Sequence, residues 1–292
     1  MPPDIPSLCF GTVQLGQAYG VANPSRMLGE EDVQALLDAA GAGGVRRFDT
    51  ARAYGAAEAR LGAWRARTGT APTIVTKFPP LDSAAAVAGL EASFEASLRA
   101  LGVARVDGLL AHRAADLRLP GVADWLRGQV GAGAIGAFGA SVSESAAIED
   151  CISTEGLGLI QLPLNLADRR AAPLLPSLAA AGIRVHARSI FLQGALLMEP
   201  AALPAHLDTL RGPISGLAAL ASEAGMTPLA LALGFALGEL GVDSVVFGAY
   251  TLSQLAECLA AAGPLDPALR AAAADLFDGL PGEVVDPSRW PR

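Results

Sequence analysis

The sequence predicts a single-domain (β/α)8 barrel, the TIM-barrel fold, over residues 1–292. Short apolar runs alternate with longer segments of helical character, and this alternation occurs eight times along the chain. Regular alternation of strand and helix predicts a parallel sheet, and eight such units in a chain of this length predict that the sheet closes into a barrel. The predicted strands are residues 8–11, 45–49, 73–76, 106–110, 134–139, 159–162, 183–187 and 244–247.

The segments between the predicted strands carry signals for the beginning and the end of helices. Residues 29–44, "GEEDVQALLDAAGAGG", begin with acids, which the positive end of the helix dipole favours, and finish in glycines, which favour a helix end. Residues 225–240 contain Thr227 directly before Pro228, the expected cap followed by proline at the first helical position. These signals predict helices where the barrel requires them.

A doubly wound sheet is the competing α/β architecture. It would need a glycine-rich phosphate-binding loop that leads from its first strand into a helix. The chain contains a match to G-x-G-x-x-G, "GAGAIG" at 131–136, but this match follows a helix-like segment and leads into a strand. That order is the reverse of the required context, so the match is interpreted as chance and the barrel is favoured.

Composition and charge exclude several classes of partner. The net charge is −8 and no block of Lys or Arg occurs, which argues against nucleic acid and anionic membranes because phosphate binding needs clustered cations. No paired-cysteine or H-E-x-x-H spacing predicts a metal site. The first residues show no signal peptide, and no apolar run is long enough for a membrane span. The sequence therefore predicts a cytoplasmic protein that acts on a small molecule.

Four ionisable side chains stand at or just after the ends of three successive predicted strands. Asp49 ends the second strand and Tyr54 follows it, Lys77 ends the third strand, and His112 ends the fourth. In a (β/α)8 barrel the carboxyl ends of all strands open onto one mouth, where catalytic residues of such enzymes lie. The sequence thus predicts that these four side chains converge.

Together these residues suit the reduction of a carbonyl group. A tyrosine hydroxyl ordinarily has a pKa near ~10, and an ammonium group beside it makes its proton easier to give. Asp49 would keep Lys77 charged and oriented, and His112 would donate a hydrogen bond to the carbonyl oxygen next to the Tyr54 hydroxyl. Since no side chain delivers hydride, this chemistry requires a nicotinamide cofactor. We therefore predict Asp49, Tyr54, Lys77 and His112 as the catalytic residues.

The segment "FDTARAYGAAEARLG" resembles a known signature, the D-T-A-x-x-Y-G-x-x-E-x-x-L-G motif of the aldo-keto reductases. The segments "VTKF", "LLAH", "LIQLPLN" and "ARSIFLQGAL" match that family in the same order, and the opening is most similar to bacterial members of uncertain substrate. The resemblance implies reduction of an aldehyde or ketone to an alcohol with NADPH, and NADH as a second cofactor. It also implies the four catalytic residues named above.

The resemblance further implies which residues bind the cofactor and the substrate. Ser141 and Gln161 would hold the nicotinamide carboxamide, and Glu257 would approach the adenine. The full cofactor-binding set is Thr12, Ser141, Gln161, Arg188, Ser189, Phe191, Gly248, Thr251, Gln254 and Glu257. The candidate substrate-binding residues, which come from loops after the strands, are Tyr19, Phe78 and Arg113, with Arg52 as a further candidate.

Three positions depart from the family pattern. Val142 stands where an asparagine commonly contacts the carboxamide, and Arg188 stands where many members place an aromatic ring against the nicotinamide. Tyr250 stands where a cation usually meets the 2′-phosphate of NADPH. The sequence therefore predicts that NADPH is accepted with weak discrimination against NADH, unless Arg188 or Arg211 supplies the missing cation.

Two other functions stay open at this point. A lysine that ends a barrel strand is also how Schiff-base aldolases form an imine, and Lys77 could serve in that way. A nucleotide-binding regulatory or interaction protein with slow turnover could retain the same fold. Trapping with borohydride would reveal the first alternative, and cofactor binding without turnover of any aldehyde or ketone would reveal the second.

Overall fold

The computed structural model describes residues 7–22 and 27–291. Eight parallel strands form a closed barrel in which each strand pairs with its neighbours in sequence and the last strand pairs with the first. This architecture confirms the predicted (β/α)8 barrel. The strands are β1 Ser7–Gly11, β2 Arg47–Asp49, β3 Thr73–Phe78, β4 Gly108–Ala111, β5 Phe138–Ser141, β6 Leu159–Pro163, β7 Arg184–Arg188 and β8 Ser244–Phe247.

Helices surround the barrel, with short 3₁₀ turns between several of them. The α-helices are α1 Val13–Gly16, α2 Glu30–Ala42, α3 Ala57–Thr68, α4 Ala86–Leu101, α5 Val122–Gly131, α6 Ser145–Ile152, α7 Leu175–Ala180, α8 Arg211–Glu223, α9 Pro228–Leu237, α10 Leu252–Ala260, α11 Pro267–Asp275 and α12 Gly282–Val285.

Helix α9 begins as its sequence predicts. The Thr227 hydroxyl accepts a hydrogen bond from the amide of Ala230, and Pro228 occupies the first turn, where its missing N–H costs nothing. Every residue of α9 after Pro228 is buried, so this helix is apolar on all sides. No single helix in the described part of the chain is long and apolar enough to cross a membrane; a bent pair, Ala205–Glu223 with Pro228–Leu237, would meet that test by length and composition alone.

Seven strands differ from the predicted boundaries by up to four residues at an end, and two of these differences bear on the site. Strand β3 extends to Phe78, so Lys77 lies within the strand and does not follow it. Strand β5 begins at Phe138 and not at residue 134, because the segment before it touches its neighbour through a single isolated bridge between Val106 and Ile135. The backbone of Gly136, in this segment, lies close to the backbone of Asp107. A Cβ added to Gly136 would stand 2.7 Å from the Asp107 carbonyl oxygen.

The side chains of β3 point alternately toward the surrounding helices and toward the interior of the barrel. Successive side chains of a strand point to opposite faces, so Phe78 and Lys77 face in opposite directions. Phe78 is fully buried in the cluster between the sheet and the helices, whereas Lys77 contacts Asp49 at the mouth. Phe78 therefore packs on the face of the strand away from Lys77, and its role in substrate binding stays a prediction.

Candidate active site

The carboxyl ends of the strands open onto one cavity of about 650 Å³ at the mouth of the barrel. Asp49, Tyr54 and His112 line this cavity, and Lys77 lies directly beneath it with only 1% of its surface exposed. The structure thus brings together the four side chains that the sequence predicts to converge. They come from β2, the loop after β2, β3, and the first position after β4.

Lys77 and Asp49 form a buried ion pair at the floor of the cavity. The Lys77 Nζ lies 2.7 Å from each carboxylate oxygen of Asp49 and 3.0 Å from the carbonyl oxygen of Thr50. Gln161 also donates a hydrogen bond to Asp49, at 2.8 Å. The ammonium therefore has acceptors on Asp49 and Thr50, and the carboxylate has partners on both oxygens.

Tyr54 and His112 stand above this pair. The Tyr54 ring centroid lies 5.1 Å from the Lys77 Nζ and 6.0 Å from the His112 ring, whose plane is turned by 87° relative to the tyrosine. Nδ1 of His112 is buried and has no hydrogen-bond partner in the described structure. The two rings therefore present a hydroxyl and an imidazole to the same cavity beside a cation.

The pKa values of Lys77 and His112 are shifted in opposite directions. Burial by itself would lower the pKa of Lys77, but the Asp49 charge, the adjoining Tyr54 hydroxyl and their hydrogen bonds outweigh it, so the pKa is raised. Burial lowers the pKa of His112 to about 4, and the positive charges of Lys77 and Arg188 contribute to the shift. At neutral pH the site therefore holds an ammonium group and a neutral imidazole.

Most of the residues predicted to bind the cofactor or substrate line the same cavity. Eight of the ten cofactor-binding candidates do so, together with one substrate-binding candidate. These residues are Thr12, Ser141, Gln161, Arg188, Ser189, Phe191, Gly248, Gln254 and Tyr19.

Other predicted residues lie outside the cavity lining. Thr251 accepts a hydrogen bond from the amide of Gln254 and caps helix α10, and Glu257 accepts one from the Thr227 hydroxyl. The exposed Arg113 binds the buried Asp116, with 2.7 Å between Nε and the carboxylate. Arg113 also donates to the carbonyl oxygen of Leu81 and is absent from the cavity lining, so its predicted substrate contact stays a prediction.

Two further arginines with a possible role also bind elsewhere. Arg52 forms an ion pair with the buried Glu58 and is absent from the cavity lining. Arg211, one candidate for a cation at the 2′-phosphate, binds Asp208 and the carbonyl oxygens of Pro200 and Leu203. Neither arginine is placed to meet a cofactor.

Arg188 lies at the end of β7 inside a ring of hydroxyl groups. Its Nε donates to Ser141 at 3.2 Å, Nη1 donates to Ser189 at 3.1 Å, and Nη2 donates to Ser143 at 2.8 Å and to the carbonyl oxygen of Val142 at 3.0 Å. Each of these serine hydroxyls accepts from Arg188 and so keeps its own hydrogen for a ligand. The guanidinium thereby also binds the backbone carbonyl of Val142, the position at which the sequence has valine in place of the asparagine of the family pattern.

The loop after β1 crosses the mouth and is held at two points. The Tyr250 hydroxyl contacts the backbone amide of Tyr19 at 3.0 Å and also donates to its carbonyl oxygen. The amide of Val21 donates to the carbonyl oxygen of Gln193 in the loop after β7, at 3.1 Å. Tyr250 is therefore a structural contact of this loop, a role that the sequence did not reveal because its partner lies 231 positions away.

The cavity has features that fit a dinucleotide. The Gln14 Oε1 is buried in the lining without a hydrogen-bond partner, and the Gln14 side chain lies where a Cβ on Gly248 would stand. In the loop after β7, Ser189, Leu192 and Gln193 have positive φ values of 58°, 47° and 55°, a strained conformation that is common at ligand-binding loops. The unpaired Gln14 oxygen is an acceptor for a hydroxyl or amide group of a ligand, and the serine hydroxyls of the lining are donors for phosphate oxygens.

Residues far apart in the chain complete one wall of the cavity. Asp168, which is 1% exposed, binds Arg170 through both oxygens at 2.8 Å, and Asp286 near the C-terminus joins this wall. Sequence reasoning missed these residues, because they follow no strand-end pattern. Their only signal is the pairing of opposite charges, which becomes visible when the chain folds.

The fold and site define a class: a parallel eight-stranded barrel whose mouth holds a tyrosine and a histidine over a buried lysine–aspartate pair. The model of the Aldo/keto reductase family matches residues 7–268, nearly the whole chain, and the protein belongs to this family. This assignment confirms the resemblance seen in the sequence. No protein with a curated description matches the chain.

Solved structures show the same fold. An aldo-keto reductase from Bacillus halodurans in its holo form is similar with a TM-score of 0.78 and 19% identity, covering 98% of this chain and 97% of that one. A glycerol dehydrogenase from Gluconobacter oxydans is similar with a TM-score of 0.76 and 21% identity, covering 95% and 93%. Because these sequence identities are low, the similarity shows that the barrel fold is shared and nothing more.

Proposed function

We propose that this protein reduces an aldehyde or ketone to an alcohol with NAD(P)H, and that Tyr54 is the general acid. The single observation that carries this proposal is the position of the Tyr54 ring, 5.1 Å from the Lys77 ammonium and 6.0 Å from the His112 ring in one cavity. Membership of the aldo-keto reductases, and the oxidoreductase named among the structural neighbours, support it.

The contacts suggest a separate role for each of the four residues in the proposed reaction. A bound nicotinamide supplies the hydride that reaches the carbonyl carbon. Tyr54 gives its proton to the carbonyl oxygen, and the neutral His112 holds that oxygen in place by hydrogen bonding. The Lys77 ammonium stabilises the tyrosinate that remains, and Asp49 keeps the ammonium charged and in position.

The cofactor-binding residues are proposed from the cavity lining. Ser141, which also contacts Arg188, would hold the carboxamide, and Gln161 would do so through its carbonyl oxygen, since its amide nitrogen binds Asp49. Gln14 and the loop after β7 would contact the phosphates. We propose NADPH as the cofactor, with NADH also accepted.

The contacts of Lys77 argue against a Schiff-base aldolase. An imine forms from a neutral, accessible amine, whereas the Lys77 ammonium is buried, is hydrogen-bonded to Asp49 and Thr50 and has a raised pKa. Tyr54 and His112 would also have no joint task in that chemistry.

Replacement of Tyr54 tests the proposal. Tyr54→Phe keeps the ring and removes the hydroxyl, so we expect carbonyl reduction to fall by about 10²- to 10⁴-fold, the range for loss of a general acid. The dissociation constant of NADPH, measured by fluorescence titration, should stay nearly unchanged. Turnover is followed as loss of reduced-nicotinamide absorbance with a panel of aldehydes.

Thr70→Val is the control, because it removes an exposed hydroxyl outside the cavity lining. It should retain most of the activity. Wild-type turnover in Tyr54→Phe would exclude the mechanism. Cofactor binding without turnover of any carbonyl compound by the wild type would favour a regulatory nucleotide-binding protein.

A further inference from the structure

Arg188 carries a positive charge that no carboxylate balances in the described part of the chain. Arg170, the other arginine in the cavity lining, binds Asp168, and Lys77 below the cavity binds Asp49. None of the ion pairs among residues 7–22 and 27–291 includes Arg188. Because a guanidinium stays protonated in proteins, the cavity holds a lasting uncompensated cation.

This cation lies next to the place where reduction would occur. Its Nε donates to the Ser141 hydroxyl, and Ser141 pairs in register with Gln161, whose amide binds Asp49. Its charge also contributes to the lowered pKa of His112. The half-buried guanidinium is therefore within electrostatic reach of the catalytic residues.

The charge of a nicotinamide ring depends on its redox state. The reduced ring is neutral, and loss of a hydride with its electron pair leaves a positively charged ring. Hydride and proton must reach the same carbonyl group, so a nicotinamide that serves Tyr54 must lie at this part of the mouth. Like charges a few ångströms apart in a partly buried site repel each other strongly.

We propose that Arg188 makes this site select the reduced cofactor. Its charge would weaken binding of the positively charged, oxidised nicotinamide and would leave binding of the neutral, reduced nicotinamide unchanged. This inference rests on the proposed function. Four hydrogen bonds to three serines and a carbonyl oxygen hold the guanidinium in place, so it cannot easily turn away from a cationic ring. An uncharged side chain at the end of β7 would lack this effect. Product release would then be aided by weak retention of the oxidised cofactor.

The test compares dissociation constants of NADPH and NADP⁺ by fluorescence titration, without any substrate. For the wild type we expect NADPH to bind at least tenfold more tightly than NADP⁺. Arg188→Met removes the charge and keeps the stem, and Arg188→Gln also keeps hydrogen-bonding capacity if the first variant folds poorly. In both, the preference should fall by about tenfold, equivalent to ~1.4 kcal/mol.

Two control variants distinguish the effect of the positive charge at position 188 from the effects of changing the side chain or of removing a charge elsewhere. Arg188→Lys keeps the charge and should keep the preference. Arg184→Met removes an exposed charge at the opposite end of the same strand and should also keep it. An unchanged ratio in both Arg188→Met and Arg188→Gln, or a wild type that binds both redox forms equally, would overturn the inference while leaving the proposed function intact. If the wild type bound neither cofactor, the proposed function itself would fail.

Discussion

The Lys77 ammonium contacts both carboxylate oxygens of Asp49 at 2.7 Å, and the two side chains are 1% and 5% exposed. Such a pair tolerates the loss of both charges better than the loss of one, because a single replacement leaves an uncompensated charge in the interior. This relationship links the stability of the barrel mouth to its chemistry, and the two can be separated experimentally.

We therefore predict unequal effects of single and double replacements. Lys77→Met should lower the free energy of unfolding by about 3–5 kcal/mol, since the Asp49 carboxylate stays buried with Gln161 as its remaining side-chain partner. Adding Asp49→Asn should restore much of that loss but no activity. Urea unfolding and an aldehyde reduction assay measure the two quantities. A double variant as unstable as Lys77→Met would show that the pair does not act as a unit.

The neutral state of His112 gives a prediction about pH. Because its pKa is lowered to about 4, the imidazole should not change protonation between pH 5 and pH 8. We expect kcat/KM for carbonyl reduction to show no inflection from His112 in that range, although a free histidine would titrate there. His112→Gln should give a pH profile of the same shape at a lower rate. An inflection near pH 6.5 that disappears in His112→Gln would contradict this prediction.

The start of helix α10 predicts weak selection between NADPH and NADH. Tyr250, Thr251 and Gln254 are neutral, and Arg211 is held by Asp208. A 2′-phosphate would thus lack a charge-assisted partner, and we expect the two dissociation constants to lie within about tenfold of each other.

A gain-of-charge variant extends this test. Gln254 lines the cavity, so Gln254→Arg should shift the preference toward NADPH by about tenfold, or ~1.4 kcal/mol. Ser253→Arg adds the same charge at the neighbouring exposed position, outside the cavity lining, and should change little. A wild-type preference for NADPH above about a thousandfold, or ~4 kcal/mol, would contradict the prediction.

The buried His186 should lower the free energy of unfolding in acid. It is 2% exposed on β7, its Nδ1 has no partner in the described structure, and burial lowers its pKa to about 4. Between pH 6.5 and pH 4 the unfolded chain binds more protons than the folded one, so stability is complete above pH 6.5 and falls on acidification. From pH 7.5 to pH 4.5 His186 should account for about 2–3 kcal/mol of the loss.

Urea unfolding at the two pH values measures that loss. His186→Gln cannot titrate and should lose correspondingly less stability than the wild type. His206→Gln replaces an exposed histidine and should keep the wild-type loss. Equal losses in His186→Gln and the wild type would show that His186 is not responsible.

The sequence by itself determined the barrel and the convergence of Asp49, Tyr54, Lys77 and His112. Strand alternation and helix caps are local patterns, and closing a parallel barrel brings the carboxyl ends of its strands to one mouth whatever the loops do. The eighth strand was predicted with its observed bounds, Ser244–Phe247, because its apolar run is flanked by polar and glycine residues.

Tertiary structure alone decided which loop side chains reach the cavity. Arg113 is held by buried Asp116 and is absent from the cavity lining, and Tyr250 holds the backbone of Tyr19. Asp286 reaches the wall of the cavity from the far end of the chain. Such placements depend on side-chain direction and on contacts between distant segments, and a linear pattern of residue types carries neither.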